Sequence, residues 1–116
     1  MADTLKSVYT KSNGTAERKI LDGAGSNIVY TILSITICNT DASDRTFHLF
    51  VNDTDNESGV GANTDFYIYK NQSSPSHSTF IHNDKMVLKH NTELILQTVQ
   101  DTTGVHIMVT YLEQTA

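Results

Sequence analysis

Cysteine, proline and tryptophan are nearly or wholly missing from this chain of 116 residues, which holds one cysteine, one proline and no tryptophan. With Cys38 alone, an intrachain disulfide, a thiolate zinc cluster and a paired-thiol redox motif are all excluded. Cys38 ends the most apolar run, where a thiol behaves as a small inert hydrophobe rather than as a nucleophile. The lack of tryptophan weakens any reading that needs a sugar-binding cleft around paired carboxylates. Basic residues are few and scattered. Eight Lys and Arg stand against 13 Asp and Glu, for a formal net charge of −5. Nucleic-acid binding relies on clustered cations, so nucleic acid is not an expected partner. No run approaches the roughly 20 apolar residues of a membrane-spanning helix. The first twelve residues, with Asp3 and no apolar stretch, do not read as a secretory signal. The expectation is a soluble protein made in a cytoplasm, with no membrane partner.

What is present is strand-and-turn grammar. Short runs rich in Val, Ile, Thr, Tyr and Phe alternate with period two and are separated by Asn, Asp, Ser and Gly. Thr4 to Thr10 and Glu17 to Leu21 flank Asn13-Gly14, which predicts an N-terminal hairpin over residues 1–22, able to serve as an arm on a neighbouring subunit. Gly23-Ala24-Gly25 then breaks the chain, and residues 23–116 form the main domain. Asn27 to Cys38 is apolar on both sides, with Ile28, Tyr30 and Ile32 alternating against Val29, Thr31, Leu33, Ile35 and Ile37. Arg45 to Val51 places Phe47, Leu49 and Val51 on one face. Further strands are expected at Asp65 to Lys70, Ser78 to His82, Met86 to Leu88, Glu93 to Val99 and Val105 to Leu112. Eight or nine antiparallel strands and no helical period predict an all-β sandwich of jelly-roll type, in which two sheets cover each other's apolar faces.

Candidate chemistry is thin. Gly-x-Ser-x-Gly is absent, and Gly23-x-Gly25 and Gly59-x-Gly61 lack the third glycine of a dinucleotide fingerprint, so they read as turns. His48, His77, His82, His90 and His106 are dispersed, with no His-x-His pair. The acidic series Asp53, Asp55, Glu57 and Asp65, in the longest loop, is the one metal candidate, because calcium collects six to eight oxygens. As an EF-hand it fails: Ser58 stands at the glycine position and Thr64 at the bidentate glutamate position. A solvated acidic loop is the plainer reading, and no cofactor is expected. Tyr67 and Tyr69 are placed on one face of their strand, opposite Phe66 and Ile68, and tyrosine is favoured at interfaces.

Three segments in order carry a resemblance. Ile28 to Thr40 is an apolar strand closing on Ile37-Cys38-Asn39-Thr40 and is followed by the strand Thr46 to Val51. Lys85 to Leu96 is a short run, a turn and a strand, with His90-Asn91-Thr92 where the pattern usually has Gly-Asp. Val105 to Glu113 is the closing strand. Over residues 16 to 114 the chain resembles small β-sandwich virion proteins of tailed bacteriophages, of the marine and cyanobacterial phage type. The resemblance implies a non-enzymatic particle component located in the virion. Its expected partners are itself, as a homotrimer, and the major capsid protein, which it would decorate or cement. Leu5, Val8 and Tyr9 in the arm and Tyr67 and Tyr69 on the sheet are the expected contact residues. Two alternatives stand beside this: a tail, neck or fibre-attachment subunit, and a calcium-dependent carbohydrate-binding jelly roll using the loop from Asn52 to Asp65.

Overall fold

The computed structural model describes residues 3–23 and 26–115. Ala24 and Gly25, half of the expected chain break, lie outside the described residues. Nine strands follow one another and no helix occurs among the described residues. They are β1 (Asp3–Lys11), β2 (Arg18–Asp22), β3 (Ile28–Asn39), β4 (Arg45–Asp53), β5 (Thr64–Ser74), β6 (Thr79–His82), β7 (Met86–Leu88), β8 (Thr92–Thr98) and β9 (Val105–Thr115).

The strands form two antiparallel sheets. Sheet one runs β1-β9-β3-β6, with β7 also on β3, and sheet two runs β2-β8-β4-β5. The partnerships are nested: β1 with β9, β2 with β8, β3 with β6 and β7, β4 with β5. Such nesting describes one long antiparallel ribbon rolled up until β3 meets β9 and β4 meets β8. That is a jelly roll, and the all-β sandwich expected from the sequence is the fold observed.

The core follows from alternation. Ile32, Ile35 and Ile37 of β3, Phe47 and Leu49 of β4, Leu94 and Leu96 of β8, and Ile107 and Val109 of β9 are fully buried between the sheets. Strict alternation would have turned Ile35 and Ile37 away from Tyr30 and Ile32. A register shift between Ile32 and Ser34 inserts Leu33 as an extra residue, and this bulge brings all of them inward.

Two sequence expectations are corrected here. The N-terminal hairpin is a corner instead: β1 and β2 belong to opposite sheets. Asn13-Gly14 does turn the chain, with Gly14 at φ 61° and a bridge from Asn13 to Ala16. However, the Ser12 hydroxyl and the Gly14 amide both donate to the Thr102 carbonyl, which anchors the turn to the far end of the roll and sends the strands apart. The second correction concerns the tyrosines. Leu49 lies opposite Tyr69 while Phe50 lies opposite Tyr67, so β5 bulges between them. Tyr69 therefore faces inward against Phe47 and Phe80, and Tyr67 faces outward over Phe50.

Buried polar groups hold the corners. Asn39, fully buried, donates from Nδ2 to the carbonyls of Ser43 and Ser74 at 2.9 and 2.8 Å and accepts the Asp41 amide on Oδ1 at 2.9 Å. Asp41 in turn accepts from Arg45 Nε and from the Thr102 hydroxyl. Gly104 packs against this carboxylate so closely that a Cβ there would overlap it.

Candidate functional site

The acidic loop spans the β4–β5 connection, and its carboxylates have separate employments. Asp53 is buried, and its two oxygens accept the backbone amides of Glu57 and Ser58, each at 2.8 Å. The Ser58 contacts lead in holding its pKa below the ordinary carboxylate value. Asp65 accepts from Asn52 Nδ2 at 2.7 Å. Glu57 accepts from Asn91 Nδ2 at 3.1 Å and lies 3.3 Å from His90 Nε2. Asp55 is exposed. Among the described residues, no three His, Cys, Asp or Glu side chains gather where one cation would reach them. Carboxylate and amide caps hold the loop, with Asn56 and Asn63 at φ 58°.

Beside the loop, at the open edge between the sheets, lies a cavity of about 310 Å³ whose apolar wall includes Val51, Phe66, Met86 and Leu88. Between the two sheets stands a group of aromatic rings. Tyr69, Phe80 and Phe47 stack edge to face there, and Tyr69 Oη meets His82 Nδ1 at 2.7 Å.

The outer faces of the two sheets differ in character. Sheet two carries charge outward. Lys19 pairs with Glu93 at 2.8 Å, and Lys70 Nζ sits 4.7 Å from the centre of the Tyr67 ring. Beneath them Phe50 and Ile95, side by side on β4 and β8, are buried although they point away from the main core.

Sheet one is nearly uncharged outside. The register places Tyr9, Met108, Thr36 and Ile81 in one row across β1, β9, β3 and β6. Leu5, Leu112, Thr31 and Val87 form a second row. Between them lie Ser7, Thr110 and Ser34. Leu5 is 66%, Tyr9 72%, Ile81 58% and Val87 62% exposed. Charge stands at its margins, with Lys11 beside His106, Asp3 beside Gln114, and the exposed Asp84 and Lys85 between β6 and β7. A face bearing exposed Tyr, Met, Leu, Ile and Val, with charge at its margins, has the composition of an interface centre.

Of the five expected contact residues, Leu5 and Tyr9 are on this face. Val8 pairs with Val109 and packs toward the core. Tyr67 is on the opposite side of the roll, and Tyr69 is occupied inside it. Ile81, Val87 and Met108 were missed, because only strand pairing shows that they join Leu5 and Tyr9. The strict alternation of β9, with Val105, Ile107, Val109 and Tyr111 buried, was a legible sign that Met108 points out.

No protein-family model matches the sequence, and no curated protein matches it. Solved structures share the fold. One of the T13 IBDV viral particle aligns with a TM-score of 0.50 at 8% identity, covering 96% of this chain and 34% of that one. One of infectious bursal disease virus, Gx strain, aligns with a TM-score of 0.50 at 8% identity, over 97% of this chain and 30% of that one. The CBM22-1 and GH10 modules of Clostridium thermocellum xylanase 10B, complexed with xylohexaose, align at 0.48 and 16% identity, over 98% of this chain and 25% of that one. This chain thus spans a quarter to a third of their length. The β-sandwich seen here also occurs in viral particles, and at these identities the likeness is one of fold.

Proposed function

We propose that this chain is a non-enzymatic structural subunit of a virus particle. In this reading it is a decoration or cement protein on the head of a tailed phage, associating with further copies of itself and with the major capsid protein. The observation that carries the reading is the outer face of sheet one, where exposed apolar side chains of neighbouring strands stand together with charge at the margins. Its fold in common with viral-particle chains and the resemblance of residues 16 to 114 to phage virion proteins support it. The chain takes no cofactor in this account, and its buried carboxylates serve the loops.

The mechanism is mass action. A subunit that binds only the assembled shell stabilises that state in proportion to the logarithm of its concentration over its dissociation constant. Many repeated contacts make the effect large even where each is weak. The test is a density map of the intact particle with peptide mass spectrometry of its components. Density for the roll on the shell supports the decoration role, density in a tail or neck moves the chain to that station, and absence from purified particles overturns the proposal. The solution mass of the purified protein decides whether it groups in threes.

A further inference from the structure

We propose that β1 is a self-recognition edge, joining two copies of the chain through antiparallel pairing of β1 with β1 of the second copy about a two-fold axis at Ser7. The inference rests on the reading of the chain as a self-associating subunit and names the contact.

The roll has four open sides, and three are guarded. β2 is short and carries a register shift. β5 is bulged twice against its neighbour and holds Asn71 at φ 54°. β6 and β7 split the fourth side into pieces of four and three residues. Shortness, bulges and breaks of this kind keep natural sheets from pairing edge to edge. β1 has none of them. It runs nine residues in unbroken register with β9, without proline or glycine, and pairs with a strand on that side alone, while the carbonyl of its last residue, Lys11, accepts from Arg18 Nε at 3.1 Å. Its outer backbone edge is a template for another strand.

The sequence of β1 selects the occupant, because it is complementary to itself when reversed. A two-fold axis normal to the sheet keeps outward residues outward, so only residues of the same facing can stand opposite each other. With Ser7 opposite Ser7, Asp3 meets Lys11 of the second copy, and Leu5 meets Tyr9. All nine residues are paired in this register, and any shift leaves both ends unpaired and separates the opposite charges. The one charge near the middle, Lys6, is neutralised within its own chain by Glu113 at 2.8 Å. The result is one continuous sheet through both copies, with Leu5 and Tyr9 of each copy flanking the axis on the outer face. A two-fold contact at this edge coexists with other symmetry contacts elsewhere on the surface, as particle lattices combine several axes.

The test is disulfide capture of the full chain in a Cys38→Ser background. Directly opposed residues in an antiparallel pair have Cα atoms about 4.5–5.5 Å apart, within disulfide reach. Ser7→Cys is expected to give a covalent dimer on mild oxidation. Leu5→Cys is expected to give none, since two copies of residue 5 lie roughly 14 Å apart along the strands. In the unmodified chain, Asp3→Lys and Lys11→Asp each weaken dimerisation by at least about threefold in sedimentation, a scale set by two exposed ion pairs, and the double exchange restores it. Monomer at all concentrations, equal capture at residues 5 and 7, or no rescue by the double exchange overturns the inference. Capture at Ser7→Cys together with absence of the chain from purified particles supports the edge contact and overturns the proposed function.

Discussion

Tyr69 on β5 and His82 on β6 meet across the gap between the two sheets, Oη to Nδ1 at 2.7 Å, and this hydrogen bond ties together strands that share no backbone ladder. The other imidazole nitrogen, Nε2, is buried without a hydrogen-bond partner among the described residues. Tyr69→Phe keeps the ring contacts with Phe47 and Phe80 but leaves both His82 nitrogens unsatisfied. The expected loss is about 1–2 kcal/mol. At roughly 4 °C per kcal/mol for a domain near this size, the melting temperature falls by about 4–8 °C. Tyr69→Phe with His82→Phe removes both polar partners, so the double variant is expected to be more stable than Tyr69→Phe alone. Thermal melts of the three proteins check this, and a double variant less stable than the single contradicts it.

Asn39 bonds backbone groups at one buried corner, and an alanine there strands the carbonyls of Ser43 and Ser74 and the amide of Asp41. Asn39→Ala is expected to cost roughly 3 kcal/mol, near the upper range for single buried polar losses. Asn39→Asp is expected to be no better, because its carboxylate points at carbonyl oxygens. Urea unfolding midpoints measure both.

Two carboxylates make the fold sensitive to acid. Asp41 has its pKa lowered first by the Thr102 hydroxyl and then by Arg45, and Asp53 by Ser58 and then by the Glu57 amide. A folded pKa below the ordinary value of 3.8 means that the native state binds fewer protons than the unfolded chain. Their contribution is therefore fully present above about pH 5 and is lost as the pH falls below 3.8 toward the folded pKa values. Melting temperature should change little on their account between pH 7 and 5 and drop below pH 4. Gly104→Ala, which displaces the Asp41 carboxylate, and Asp53→Asn should each lower stability at pH 7 and flatten the acid limb. A variant with an unchanged acid limb would show that other carboxylates carry it.

The residues that made the fold legible were those whose alternation is unbroken. β4 has the faces its sequence predicts, and β9 alternates strictly from Val105 to Tyr111. What stayed hidden was parity beyond a bulge. Nothing in Ile32-Leu33-Ser34 or Tyr67-Ile68-Tyr69 marks an extra residue, since bulges are decided by packing between sheets rather than by local preference. That is why Tyr69 was expected outside and Ile35 on the wrong face. Two sequence features acquired physical meaning from the structure. The Asn that closes the first resembling segment is the buried corner clamp, Asn39. The His90-Asn91-Thr92 departure keeps its turn because Asn91 adopts φ 61°, a left-handed conformation that asparagine tolerates better than most residues. Half of the candidate face was legible, as Leu5 and Tyr9, and the rest required the register across β9, β3, β6 and β7.

Single replacements on that face should separate assembly from folding. Tyr9→Ser, Ile81→Ser and Val87→Ser alter exposed side chains on the sheet, so each is expected to change stability by less than about 0.5 kcal/mol. Binding to shells lacking the chain should nevertheless weaken, by roughly tenfold for a residue at the interface centre. Lys70→Ser on the charged face of sheet two is the matched control and should leave shell binding unchanged.

The most direct test of the central claim is quantitative peptide mass spectrometry of purified particles from the virus that encodes this chain. The account predicts the chain in many copies per particle, at a fixed ratio to the major capsid protein. Its absence from particles, or a trace without fixed stoichiometry, would contradict the account.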